Sequence, residues 1–325
     1  MPVCQQTQWR VDVHQKETCM RIALYNPDST PGFWIDGLRA VWPEAEVALW
    51  NPGSAPADFA IAWAPPQAFF DEQPGLQAVF NLGAGVDALM RLRIPPQTLV
   101  VRLEDAGMAV QMAEYVCHAV LRHFRGLEGY EADARAGLWR KQALAERCDC
   151  PVGVMGLGVL GTRVAQALRG FEFPVNAWSR QLKTLDGIRG FAGAAQLDAF
   201  LAASKVLVCL LPLTVDTQNI LDHRSLSRLQ PGGYVINVAR GGHLVDADLL
   251  ALLNSGHLAG ATLDVFRTEP LPFDHPFWDH PKITITPHIS ARTLVVQSLA
   301  QIVAKLQALL QGQPVDGVVQ RDKGY

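Results

Sequence analysis

Three polar residues, each set just beyond an apolar run, have the types that a carbonyl reduction needs. Arg240 follows YVINVA, Glu269 comes shortly after GATLDVF, which itself holds Asp264, and His288 follows KITITP. An arginine presents a planar fork that suits a carboxylate and a neighbouring carbonyl oxygen. A histidine can donate a proton near neutrality, and an adjacent carboxylate raises its pKa and keeps it protonated. Reduction of a 2-oxo acid needs that cation, that proton donor for the developing alkoxide, and a hydride. Taken singly the residues say less: a histidine after a strand is more often a loop residue, and Glu269-Pro270 reads equally as a turn. His275 and His280, each inside an Asp-His-Pro step, read as loop caps, and no metal site is expected.

A hydride donor would sit on a glycine turn, and the chain has two, LGAGVDAL at 82–89 and MGLGVLGT at 155–162. In the later turn an apolar strand leads into Gly156-x-Gly158-x-x-Gly161, with Leu157, Val159 and Leu160 between the glycines, and a helical run follows through Leu168. This is the dinucleotide fingerprint in its required context. Gly156 permits the tight turn, Gly158 lets the backbone approach a pyrophosphate, and Gly161 allows close helix–strand packing. The earlier turn, Gly83-x-Gly85-x-x-Ala88, also passes the bare pattern and even has an acid, Glu104, at the right distance. About eight residues then precede Pro95-Pro96, too few for a full crossover helix, and Asp87 would repel a pyrophosphate. Its free N–H groups suit a small anion such as a carboxylate, or no ligand at all.

After the strand FPVNAW, where an NAD site would place an acid, stand Ser179-Arg180 with Lys183 close by. An arginine there favours a 2′-phosphate, each charge-assisted hydrogen bond contributing roughly 1.5–3 kcal/mol, so NADPH is the expected cofactor with NADH possible. The alternative is an arginine solvated on the rim.

The elements that must carry these residues alternate between strand and helix. From residue 21 a strand, a helix opened by Ser29-Thr30-Pro31, and apolar runs at 45–50, 59–63, 76–82 and 98–103 make one small α/β unit. A proline-free helical stretch over 108–136 follows. Six strand-like runs then begin near 151, 174, 205, 233, 259 and 282, the spacing of βαβ crossovers. An α/β fold is predicted, with an open, doubly wound parallel sheet whose ligands bind beyond the carboxyl ends of its strands. The last helix, 292–311, is expected to pack back on the first unit.

With 325 residues the chain fits about two domains. A net charge of −3 offers no basic surface for nucleic acid or an anionic membrane. Six scattered cysteines point to a reducing cytoplasm, and the Cys148-Asp-Cys150 pair reads as surface thiols. Residues 1–20 are polar, lack a signal-peptide core and are expected to be a disordered extension, with Met20 a possible start.

The segments NLGAGVD, MGLGVLGTRVA, LLPLTVDTQNIL, GGYVINVARGGHLVD, LDVFRTEPLP and HPKITITPHIS, in this order and spacing, resemble the D-isomer-specific 2-hydroxyacid dehydrogenases over essentially all of 21–325. RLEDAGMAVQMAEYV, GVLG, AWSR and the ending RDKGY are closer still to the glyoxylate/hydroxypyruvate reductase A branch of that family. The resemblance implies a Rossmann-like cofactor domain over 105–291 and a smaller, discontinuous, flavodoxin-like substrate domain over 21–104 and 292–325. It places the catalytic arginine, glutamate and histidine on Arg240, Glu269 and His288. Asp264 falls by the nicotinamide, and Leu211, Pro212, Thr217, Val238 and Ala239 line the cofactor. Backbone groups at Ala84, Gly85 and Val86 grip the substrate carboxylate, Trp50 is a pocket candidate and Trp139 a pocket or dimer contact, and the region after 104 builds a homodimer. Glu269 stands where a formate dehydrogenase carries glutamine. Reduction of another 2-oxo acid, of the D-lactate type, stays open on the sequence, as does a non-catalytic NAD(P)-sensing protein on the same fold.

Overall fold

The computed structural model describes residues 19–27 and 31–322, so the predicted extension lies almost wholly outside the described residues, as do Ser29 and Thr30 of the predicted helix start. The described chain divides into two compact units, one within Met1–Ala106 and Thr293–Tyr325, the other Gly107–Arg292. The borders expected from sequence were after 104 and before 292.

The first unit runs β1 (Arg21–Tyr25), α1 (Pro31–Val41), β2 (Glu46–Leu49), β3 (Phe59–Ala62), α2 (Gln67–Asp71), β4 (Ala78–Asn81), α3 (Asp87–Met90) and β5 (Leu99–Arg102). All its strands are parallel, in the order β2-β1-β3-β4-β5, which is the flavodoxin-like order. The inner strands β3 and β4 are buried at every position, which is why they read as unbroken apolar runs.

The second unit holds α4 (Met108–Phe124), α5 (Leu127–Arg135), β6 (Val152–Met155), α6 (Val159–Gly170), β7 (Val175–Ser179), β8 (Ile188–Ala192), α7 (Leu197–Ala202), β9 (Val206–Cys209), α8 (His223–Leu226), β10 (Gly233–Asn237), α9 (Asp246–Asn254), β11 (Leu258–Leu263) and β12 (Ile283–Ile285). Its parallel sheet has the order β12-β11-β10-β9-β6-β7-β8, the doubly wound Rossmann arrangement with one strand added at the β12 edge. Two expectations are corrected here. The sheet has seven strands where the sequence suggests six, because β8 is an edge strand with only Phe191 buried and so shows no apolar run. The single helix read over 108–136 is two helices, broken at Gly126, whose φ of +62° lies in the left-handed region.

The chain then returns to the first unit with α10 (Val295–Leu310). A Cβ on Gly37 of α1 would fall 2.1 Å from the Leu299 side chain, so the two helices approach closely over that glycine. Gln301 clasps the backbone of Glu104 at both its N–H (2.8 Å) and its C=O (2.7 Å), and Lys305 pairs with the Glu104 carboxylate at 3.7 Å. The acid that let the earlier glycine turn pass the dinucleotide pattern is thus an anchor for the C-terminal helix. Among the described residues, no helix is long and apolar enough to cross a membrane.

Candidate active site

In the second unit the strand order reverses between β6 and β9, and the Gly156–Gly161 turn leaves β6 at that point. Its three glycines meet three different surroundings. Gly156 has φ +101°, and a Cβ there would stand 2.7 Å from the Leu210 carbonyl oxygen. A Cβ on Gly161 would be driven to 1.8 Å from the Gly156 carbonyl oxygen, so α6 reaches its seat only with glycine at this position. Gly158 has nothing within 4 Å of its Cβ position. The two outer glycines are demanded by the protein's own backbone, and the middle one leaves open space at the start of α6. That start carries no acidic residue in its first turn and no side-chain cap, so its N–H groups and dipole are available to a phosphate. The turn fits a dinucleotide pyrophosphate.

The adenosine side lies at the end of β7. Ser179 is buried, its hydroxyl donating to the Gln181 carbonyl at 2.6 Å, while Arg180 is exposed. Lys183 reaches back to the glycine turn and donates to the Leu157 carbonyl at 2.6 Å. On the other side of the switch point, the Thr217 hydroxyl donates to the Pro212 carbonyl at 2.7 Å and fixes the loop after β9. Leu211, Val238 and Ala239 are buried, so of this loop and the one after β10 they offer mainly backbone.

Glu269 and His288, predicted from strand ends, do come together. His288 Nδ1 lies 2.8 Å from Glu269 Oε2, and Glu269 Oε1 accepts from the Phe266 N–H at 2.8 Å. Burial alone would raise the Glu269 carboxyl; the hydrogen bonds from His288 and Phe266 and the charges of His288 and Arg240 outweigh it and hold the group below its ordinary value. Arg240 thus acts electrostatically on the same carboxylate. Both members of the pair are only partly covered, with side chains 38% and 36% exposed, so the dyad is open to a reactant.

His288 sits at φ +54°, a conformation that few non-glycine residues adopt, and the protein holds it there. Its N–H donates to the Asp264 carbonyl at 2.8 Å. The Asp264 carboxylate, fully buried, accepts from the Thr286 hydroxyl (2.6 Å) and from the N–H groups of Ile289 and Ser290 (2.8 Å each). Tyr115 of α4 extends the chain through Thr286 at 2.5 Å, and burial pushes its phenol up to about 12. Asp264, expected beside the nicotinamide, is in these contacts the residue that shapes the His288 turn. His275 and His280 accept backbone N–H groups two residues on, at 3.3 and 3.2 Å, and act as the loop caps expected of them.

In the first unit the Gly83–Val86 turn follows β4 and leads into the four-residue α3, with Asp87 in its first turn. Asn81, the last residue of β4, is buried and donates from Nδ2 to the carbonyls of Gly83 (2.8 Å) and Gly85 (2.9 Å). Because N–H and C=O of a trans peptide point in opposite directions, drawing these carbonyls in turns the N–H groups of Ala84 and Val86 outward. That arrangement suits one carboxylate.

The surroundings of two further residues are as follows. Trp50 is 6% exposed, packs edge-on against Tyr25 and Phe69, and donates its indole N–H to Glu72 at 3.2 Å, so it is a core residue with its polar atom engaged. Cys150 is buried in the second unit's core, and only Cys148 of that pair is a surface thiol. Sequence reasoning missed Asn81, Tyr115 and His243; the last lies in the quoted run GGHLVD, yet nothing in its spacing tells what its ring faces.

The chain is similar to known proteins in both sequence and structure. Residues 117–290 match the family model described as D-isomer specific 2-hydroxyacid dehydrogenase, NAD binding domain. The chain is 46% identical over 313 residues to a glyoxylate/hydroxypyruvate reductase A of Serratia proteamaculans, covering 94% of this chain and all of the relative. Among solved structures it resembles a D-isomer specific 2-hydroxyacid dehydrogenase from Xanthobacter autotrophicus in complex with NADPH and MES, with TM-score 0.90, 37% identity, and coverage of 95% of this chain and 100% of that one. It also resembles an NADPH-dependent glyoxylate/hydroxypyruvate reductase from Sinorhizobium meliloti in complex with NADP and sulfate, with TM-score 0.88, 34% identity and the same coverage. The chain therefore belongs to the D-isomer specific 2-hydroxyacid dehydrogenase family, a family of NAD(P)-dependent oxidoreductases.

Proposed function

We propose that the protein reduces small 2-oxo acids, glyoxylate to glycolate and hydroxypyruvate to D-glycerate, with NADPH preferred over NADH. The observation that carries this reading is the His288–Glu269 pair at 2.8 Å, with the Arg240 charge acting on the same carboxylate. Arg240 binds the substrate carboxylate and polarises the carbonyl oxygen. His288 hands its proton to that oxygen as the carbonyl carbon is reduced, and Glu269 attracts the charge of the protonated ring and fixes its orientation through Nδ1. Asp264 keeps His288 in place, and the N–H groups of Ala84, Gly85 and Val86 take the carboxylate.

Gly156–Gly161 would hold the pyrophosphate of NADPH, Ser179, Arg180 and Lys183 its 2′-phosphate, and Leu211, Pro212, Thr217, Val238 and Ala239 its nicotinamide half. Bound NADPH supplies the hydride. The names of the relatives support both the substrate class and the cofactor. The protein is further proposed to work as a homodimer in the cytoplasm; the fully exposed Trp139 and the exposed Leu144 after α5 support a partner surface there, and the free cysteines suit a reducing compartment.

His288→Ala tests the proton assignment. The expected result is a kcat lowered by roughly 10²–10⁴ with NADPH affinity near that of the unchanged protein. Activity within threefold of the original would show that another group supplies the proton.

A further inference from the structure

The loop after β10 carries Arg240, and its backbone carbonyl is a hub. It accepts from Asn237 Nδ2 at 3.0 Å and from the His243 N–H at 3.2 Å, and His243 Nδ1 also lies 3.0 Å from it. The other ring nitrogen, Nε2, lies 3.3 Å from the Pro212 carbonyl, in the loop after β9. Both Asn237 and His243 are completely buried. A carbonyl oxygen can only accept, so each of these two contacts is attractive only if the ring nitrogen carries a proton. A neutral imidazole has one such proton and would set a bare lone pair against one of the carbonyls.

We propose that His243 is a buried, doubly protonated pin that donates to the Arg240 and Pro212 carbonyls at once and so fixes the substrate-binding arginine relative to the cofactor-lining loop. It is a positioning residue, acting through Arg240 and Pro212, and this role in turnover rests on the function proposed above. Cys209, at the end of β9, lies beside the ring, and its sulfur can accept from the ring or donate to it. The charged groups of the neighbouring elements are engaged in pairs of their own. Arg267, beyond β11, is fastened to the Leu244 carbonyl and to Asn219 (2.5 Å), and Asp246 of α9 pairs with Arg267 at 3.9 Å and with His275 at 3.5 Å. Burial opposes the charge, yet Cys209 and the two carbonyls together lift His243 above the ordinary histidine value. A raised value leaves the ring more protonated at a given pH than an ordinary histidine, and the pin is lost as pH rises through the shifted value.

Ring-nitrogen NMR of the full-length protein, labelled with ¹⁵N-histidine and assigned by comparison with His243→Gln, reads the protonation directly and needs no turnover. The expected spectrum at pH 7 has protons on both nitrogens of His243. A bare Nε2, with the Cys209 thiol donating to it, would overturn the proposal. In steady-state assays His243→Gln, which keeps one amide donor, is expected to lose about tenfold in kcat/KM for glyoxylate, and His243→Ala more. An unchanged kcat/KM in His243→Gln would also overturn it. Should the unaltered protein fail to oxidise NADPH with any 2-oxo acid, the proposed function falls, while the NMR result still decides the state of His243.

Discussion

The two glycine turns share a pattern of letters and differ in what surrounds it. Each leaves a strand that is buried at every position, β4 in one unit and β6 in the other. After β6 comes a helix of 12 residues with no acid in its first turn; after β4 comes one of 4 residues that opens on Asp87. In the later turn two glycines are required because a Cβ would strike the protein's own backbone, and the third faces open space. In the earlier turn a Cβ on Gly83 would meet the Trp63 ring at 2.6 Å, and the carbonyls of Gly83 and Gly85 are drawn inward by Asn81. A pyrophosphate needs a long dipole and a backbone it can approach; a single carboxylate needs two or three outward N–H groups. The turn after β6 meets the first requirement and the turn after β4 the second.

The steepest way to break this contrast lies inside the later turn. Gly161→Val pushes a side chain into the Gly156 carbonyl oxygen, where neither backbone can yield. It is expected to add strain of about 3 kcal/mol, to lower Tm and to weaken NADPH binding roughly a hundredfold. Gly158→Ala meets no protein atom, so Tm should stay put while the NADPH Kd rises about tenfold. Equal losses of Tm in the two variants would refute the assignment of the open space to the cofactor.

Replacing Ser179-Arg180 by Asp-Ala removes the cation expected at the 2′-phosphate. The KM ratio of the two cofactors should move toward NADH by about ten- to a hundredfold, the worth of one charge-assisted hydrogen bond. An unchanged ratio would return Arg180 to the role of a solvated rim residue. The smallest effect is expected at Gly83→Ala, because the Trp63 ring can tilt away. Its glyoxylate KM should rise about threefold with NADPH affinity unaltered; a loss of NADPH affinity instead would break the division between the turns.

Much of this was legible in the chain because of the parallel sheet. Strands buried on both faces, such as β4, β6 and β9, leave unbroken apolar runs, and residues just past successive runs must share one edge. That logic found Glu269 and His288 and put Arg240 beside them. It failed where burial is one-sided or a single residue decides. Edge strand β8 buries one side chain, and Gly126 breaks a helix whose apolar period continues past it. Trp50 follows β2, where an aromatic suits a pocket and a core equally well, and its ring packing with Tyr25 and Phe69 is not legible in the sequence. His243 and Asn81 escaped because each acts on backbone carbonyls, and the sequence does not record which way a carbonyl faces.

We propose a reduction of 2-oxo acids by NADPH. Its most direct test is NADPH oxidation by the unaltered protein with glyoxylate, hydroxypyruvate, pyruvate and phenylpyruvate in turn. Turnover is predicted to be fastest with glyoxylate and hydroxypyruvate, and faster with NADPH than with NADH. Tight NADPH binding without oxidation on any of the four would contradict it and leave a cofactor-sensing protein on the same fold.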